Sequence, residues 1–278
     1  MNEMNQPLGP TSRQRDFEGA RGRVTVQEWP NRHARYVAIL SHGAGEHIGR
    51  YQHVAAALVR HGAAVVGPDH LGHGLSAGAR LLIPDFEEVV ADLRAVATRA
   101  AADHPGLPVV LIGHSLGGAI AARYAQRFGS ELAALVLSGP VIGPWPVPQM
   151  LLAMDPMPEV PIDPDVLSRD PQVGRAYAAD PLVWHGGIPR QSLEALVRCL
   201  ARIDAGEALG ELPTLWIHGA DDALVGVDSS RLGVEKLGAR TLERHVYPGA
   251  RHEVFNETNR DEVIADVTAF IDRALARP

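Results

Sequence analysis

The chain has a single cysteine, Cys199, among 278 residues. No internal disulfide can form, and a thiolate metal centre lacks its ligands. It also has no long basic run, and its formal net charge is −7, which argues against nucleic acid as the main partner. No stretch of 18 apolar residues occurs, so no segment reads as a membrane span. The first residues, Met1 to Arg23, are polar and hold no apolar core of a secretory signal. Together these absences predict a reducing, cytoplasmic setting. What is present is 46% hydrophobic and 21% charged, enough to bury a large core in one big domain or two small ones. There is no internal repeat and no low-complexity tract.

Residues 1–13 read as a flexible tail. From Gln14 to Trp29 two strand-like segments flank Gly19-Ala20-Arg21-Gly22, which predicts an antiparallel hairpin at a sheet edge. Short apolar strands over Tyr36–Leu40, Ala63–Val66, Val109–Ile112 and Ala134–Ser138 then alternate with helical patterns over Tyr51–His61 and Asp85–Ala102. This rhythm predicts an α/β fold with a mainly parallel central sheet covered by helices on both faces. It stops at residues 139–171, which hold nine of the 21 prolines, too many for a continuous helix or a central strand. Helical patterns resume over Asp170–Ala179 and Arg190–Ala205. The α/β rhythm returns only at Pro213–His218, then with a strand over Leu242–Tyr247 and a helix over Arg260–Ala276. Residues 143–208 therefore read as an insertion into a core domain made of 14–142 and 209–278.

Gly113-His114-Ser115-Leu116-Gly117 lies between a buried strand and a helix rich in small residues. G-x-S-x-G in that context is a nucleophile elbow. A serine on so sharp a turn takes strained backbone angles, and the strand and helix approach closely only where side chains are missing. Gly113, Gly117 and Gly118 supply that absence. A hydroxyl needs a neighbouring base, and the base needs an orienting acid. On such a sheet they follow in the order Ser, acid, His. Of 13 histidines, only His218, His245 and His252 lie beyond the insertion near a strand end. His245 sits within a strand, and His218 ends one where the acid belongs. His252, in the loop after the last strand, is the candidate base. Asp221 and Asp222 both follow His218-Gly219-Ala220 at a strand's carboxyl end, and the pattern alone does not separate them, since one could cap the turn. The oxyanion needs two backbone N–H groups. Leu116, directly after the serine, and Ala44, in the glycine-rich turn His42–Gly45, are the candidates. Asp69-His70-Leu71-Gly72-His73 has no accompanying carboxylate or cysteine cluster and reads as a tight loop, so no metal is expected there.

These stretches, with Gly45-Glu46-His47-Ile48-Gly49-Arg50-Tyr51, Gly72-His73-Gly74-Leu75-Ser76 and Tyr247-Pro248-Gly249 leading to His252-Glu253, carry a resemblance. Over about residues 14–276 the chain resembles the monoacylglycerol lipase and lysophospholipase family of α/β-hydrolases. The resemblance implies an α/β-hydrolase fold with a cap (lid) over 143–208 after the nucleophile unit. It implies a triad of Ser115, Asp222 and His252, an oxyanion hole of Ala44 and Leu116, and Glu46 and Arg50 at the glycerol end of the substrate. Ser168-Arg169-Asp170-Pro171 and Asp180-Pro181-Leu182-Val183 look like parts of the family's cap. The segment from Ser138 to Ser168 is shorter and richer in proline than the family pattern. The function expected is cleavage of monoacylglycerols to fatty acid and glycerol through an acyl-enzyme, without metal or organic cofactor. The rivals are a broad carboxylesterase or lysophospholipase and, from another class, a non-hydrolytic receptor on this fold.

Within the insertion, Trp145, Val147, Met150, Leu151, Leu152, Met154 and Met157 crowd into 13 residues. Methionine and tryptophan suit adaptable apolar surfaces that meet flexible chains. Trp145, Met150, Leu151, Leu152 and Met154 are accordingly expected to line the mouth of an acyl channel. Through it the cap would touch membranes or lipid aggregates transiently, a peripheral contact without deep insertion.

Overall fold

The structure, a computed structural model, describes residues 11–277. Of the tail expected over 1–13, residues 1–10 lie outside the described residues, and the first strand already begins at Arg13. One eight-stranded sheet organises the chain: β1 (Arg13–Gly19), β2 (Gly22–Trp29), β3 (Tyr36–Ser41), β4 (Ala63–Pro68), β5 (Val109–His114), β6 (Ala134–Ser138), β7 (Thr214–Gly219) and β8 (Leu242–Tyr247). Its order is β1-β2-β4-β3-β5-β6-β7-β8. The hairpin β1–β2 is antiparallel and forms one edge, with Gly19 paired to Gly22 across the turn. Every pair from β4 to β8 is parallel.

Side chains alternate across β5, as a strand's period of two requires. Val109 and Leu111 enter the core on one face, with residues of α2 (Phe86–Asp103) and α3 (Leu116–Phe128). Val110 and Ile112 enter the core on the other, with α1 (Gln52–His61) and α8 (Arg260–Leu275). A strand buried on both faces has no room for polar residues, which is why these runs read as continuously apolar in the sequence.

Between β6 and β7 the chain forms α4 (Val147–Leu152), α5 (Pro171–Ala179) and α6 (Arg190–Asp204); α7 (Val227–Lys236) follows β7. The prolines explain the irregular stretches: Pro148 is tolerated in the first turn of α4 and Pro171 opens α5 behind the capping carboxylate of Asp170, while Pro156, Pro158 and Pro161 fall where no helix forms. Helix α6 is amphipathic. Its Ala195, Leu196, Cys199 and Ile203 join the same core as α2 and α3, which ties this segment to the sheet. Connections at the carboxyl ends of the parallel strands gather on one side, where open α/β sheets build their sites.

Candidate active site

Ser115 stands between β5 and α3 with φ 54° and ψ −118°, a conformation that costs energy for any residue with a side chain. The surrounding glycines make it attainable. A Cβ on Gly117 would lie 2.1 Å from the Ser41 carbonyl oxygen, and one on Gly113 would lie 2.3 Å from that of Gly117. The Ser115 amide donates to the Ser138 carbonyl at 2.9 Å, pinning the turn to β6. The hydroxyl is left to face a cavity.

His252 follows β8, and its Nε2 lies 2.9 Å from the Ser115 Oγ. Its Nδ1 lies 2.7 Å from Oδ2 of Asp222, whose Oδ1 accepts from the Leu224 and Val225 amides, each at 2.9 Å. The pair left open by pattern is thereby separated in space: Asp222 is buried against His252, and Asp221 is exposed. Burial disfavours a charged imidazole, but the Asp222 carboxylate outweighs it and holds the His252 pKa above its ordinary value. Burial likewise opposes the Asp222 anion, and His252 together with its hydrogen bonds holds that carboxyl far below the usual range. The loop carrying His252 is fastened from beneath. The Glu257 side chain is buried, accepting from the Arg251 amide at 2.8 Å and pairing with Arg169 at 2.8 Å.

Two further histidines were not legible in advance. His218, fully buried at the end of β7, brings its Nε2 to 3.2 Å from Asp222 Oδ2 and 2.8 Å from the Val225 carbonyl. His114 packs its ring 4.8 Å from that of His252. Burial, then the nearby His252 charge, pushes its pKa down to about 4, so it stays neutral near pH 7. The only advance signal for either was position, beside the elbow serine or at a strand's carboxyl end.

The turn His42–Gly45 approaches Ser115 closely: a Cβ on Gly43 would sit 3.1 Å from the Ser115 Cβ. Among the described residues, neither the Ala44 nor the Leu116 amide has a hydrogen-bond partner, and both residues line the cavity with Ser115. Glu46 is buried in the same turn. Its Oε1 accepts from the Gly43 amide at 2.6 Å and the Tyr51 hydroxyl at 2.7 Å, and its Oε2 from Arg50 at 2.6 Å. Burial alone would raise its pKa; Arg50 more than reverses this and keeps it ionised. Arg50 also forms a two-pronged pair with Glu253, at 2.7 and 2.8 Å, and lies under the Tyr177 ring, 5.1 Å from its centroid.

The cavity in front of Ser115 has a volume of about 310 Å³, within the range of small-molecule sites. Glu46, Glu253 and Tyr177 lie along it, and the Tyr177 hydroxyl has no partner among the described residues. Apart from Asp163, Ser192 and the residues around Ser115, the rest of the lining is apolar, from Ile83, Leu193 and Leu196 to Ile162 and Val166. The expected substrate-contacting residues divide. Glu46, Trp145 and Leu151 line this cavity, as does Val147. Arg50 is not in the lining; its Nη1 and Nη2 donate to Glu46 and Glu253, a structural contact, and its expected place at a ligand's glycerol end rests on the resemblance. Met150, Leu152 and Met154 are not in the lining either. The reason is helical geometry: Val147 and Leu151, four apart on α4, share the inward face, which turns Met150 to solvent, 58% exposed. Met154, 45% exposed, lies beyond the helix end.

Residues 32–259 match the family model described as serine aminopeptidase, S33. A monoacylglycerol lipase of Mycolicibacterium smegmatis is 39% identical over 275 residues, 95% of this chain and 98% of that protein. A monoglyceride lipase of Homo sapiens is 32% identical over 228 residues, 78% of this chain and 75% of that one. The crystal structure of a Paleococcus ferrophilus monoacylglycerol lipase is similar with a TM-score of 0.77 at 25% identity, covering 90% of this chain and 99% of that one. The chain shares the α/β-hydrolase fold and belongs both to the family whose model is described as serine aminopeptidase, S33 and to that of the monoacylglycerol lipase with which it is 39% identical.

Proposed function

We propose that this protein is a serine ester hydrolase that cleaves monoacylglycerols to fatty acid and glycerol. One observation carries the reading: the hydrogen-bonded line from Ser115 through His252 to Asp222 opens on a cavity with a mostly apolar wall and a few polar groups, Glu46, Glu253 and the Tyr177 hydroxyl among them. A single acyl chain with a small hydroxylated head matches that division, and relatives named as monoacylglycerol lipases support the substrate class. Ser115 attacks the acyl carbonyl while His252 Nε2 takes its proton, and Asp222 stabilises the imidazolium formed. The Ala44 and Leu116 amides, pre-set and unpaired, receive the oxyanion. The leaving glycerol oxygen takes the proton back from His252, and water activated by the same imidazole frees the fatty acid. Glu46 and the Tyr177 hydroxyl are suited to the glycerol hydroxyls, as acceptor and as a group able to donate or accept.

In this reading residues 14–142 and 209–278 form the hydrolase core and 143–208 its cap. No helix among the described residues is long and apolar enough to cross a membrane. Met150, Met154 and Val160 are nonetheless each exposed in the cap segment, which suits brief contact with lipid aggregates by a cytoplasmic protein. Vesicle co-sedimentation of the Ser115→Ala form tests that contact, and a Met150→Asp, Val160→Asp variant that sediments equally well refutes it. The activity is tested by comparing monoacylglycerols with lysophospholipids, diacylglycerols and short nitrophenyl esters. Monoacylglycerols are expected to give the highest kcat/KM, and Ser115→Ala to lose both turnover and fluorophosphonate labelling while staying folded. Labelling retained in that variant removes Ser115 from the chemistry.

A further inference from the structure

A second open space lies behind the acyl cavity. It is a groove of about 790 Å³ between α4, α6 and α7, lined mainly by apolar residues such as Val197, Leu200, Leu232 and Leu237, with Gln149 and the Lys236–Asp204 ion pair also in its wall. The two spaces share one lining residue, Trp145. Helix α6 runs along both: Leu193 and Leu196 face the cavity, and Val197 and Leu200 face the groove. The Trp145 indole is thus a shared wall of the cavity and of a largely apolar trough that follows the same helix. The ring is held in place. Its Nε1 donates to the Leu224 carbonyl at 3.1 Å, and Leu224 is the residue whose amide binds Asp222.

Resting on the monoacylglycerol reading, we propose that Trp145 is a chain-length stop, and that the groove behind it is an acyl-binding extension which the stop closes off. The ligand committed to is the methyl end of a long saturated acyl chain. The argument is continuity: the trough is largely apolar and adjoins the cavity at one side chain, Trp145. A chain longer than the cavity must either fold back or leave its end in water. Each methylene newly buried is worth about fourfold in binding, so two further methylenes admitted past the stop are worth about fifteenfold.

The test is the dependence of kcat/KM on chain length, from nitrophenyl butyrate to nitrophenyl stearate, in the intact protein and in Trp145→Ala. The intact protein should fall off above a certain length. In Trp145→Ala the fall-off should move to longer chains, raising the stearate-to-octanoate ratio about fifteenfold. Leu200→Trp added to Trp145→Ala should refill the groove and return the ratio towards its starting value. Trp145→Leu, which keeps an apolar filler, gives the same shift in smaller measure and serves where the alanine variant folds poorly. A profile already flat to stearate in the intact protein overturns the proposal, as does an unmoved fall-off in both variants or a groove filled by a second copy through a dimer that Leu232→Asp breaks. Failure of the hydrolase reading looks different: butyrate would then not be turned over at all, or would be turned over equally by Ser115→Ala.

Discussion

Arg50→Met removes the one cation from a buried cluster of two carboxylates while keeping much of the side-chain volume. The Arg50 side chain is 10% exposed, Glu46 4% and Glu253 6%. Three of its contacts, at 2.6, 2.7 and 2.8 Å, disappear together. Glu46 keeps its donors from Gly43 and Tyr51, and Glu253 keeps that from Asn256 at 2.6 Å, but neither anion is then neutralised. Breaking a buried pair from one side costs about 3–5 kcal/mol, a large part of the roughly 5–15 kcal/mol that holds a typical domain. The loss should depend on pH with a definite sign. Without Arg50, burial raises the Glu46 carboxyl above its unfolded pKa, so the penalty is largest well above that value and shrinks as pH falls and Glu46 takes up a proton. Urea unfolding of both proteins at pH 8 and pH 5.5 measures this, and Glu253→Gln added to Arg50→Met should recover part of the loss. A cost below about 1 kcal/mol, combined with slower hydrolysis of a monoacylglycerol but not of the nitrophenyl ester of the same acid, refutes the reasoning and returns Arg50 to the head group.

The paired aspartates should separate by kinetics: Asp222→Asn is expected to lower kcat by on the order of 10⁴, the loss known for the acid of a serine protease triad, and Asp221→Asn to change it little, since that side chain is exposed. The reverse ranking in folded variants would move the acid by one residue. Activity should need a neutral His252, so kcat/KM is expected to fall as pH drops through a pKa that Asp222 holds above the ordinary 6.5. Asp222→Asn should move that midpoint down; a midpoint unmoved by the substitution, read from the pH–rate profile, would detach it from this pair.

What the sequence made legible and what it hid divide along chain separation. The elbow was readable because its motif is five consecutive residues between a strand and a helix, although the atoms that require Gly117 and Gly118, from Ser41, His42 and Pro140, are distant in the chain. Helices α5 and α6 followed from their own periodicity. The role of Arg50 was not readable, because its stronger partner, Glu253, is 203 residues away, and only the fold brings them together. The facing of α4 was missed for a related reason. In a six-residue helix a crowd of apolar residues does not say which face turns inward, and the neighbours that decide it come from α6 and from residues 157–167.

The aspartate pair shows how a sequence argument can frame the wrong alternatives. One acid was expected to orient the histidine and the other to cap the turn, as if the two duties needed two residues. A carboxylate has two oxygens, and Asp222 divides them. Oδ1 accepts from the Leu224 and Val225 amides and Oδ2 faces His252, so the turn itself aims the acid. Asp221 is left outside, its amide bound to the Ala250 carbonyl at 2.9 Å. Asparagine at 222 is therefore the informative replacement. Its carbonyl oxygen can still accept from the two amides and keep the turn, while its amide would set an N–H against the His252 Nδ1 and force the wrong tautomer. Alanine at the same position would remove cap and partner together, and its loss of activity could not be assigned to either.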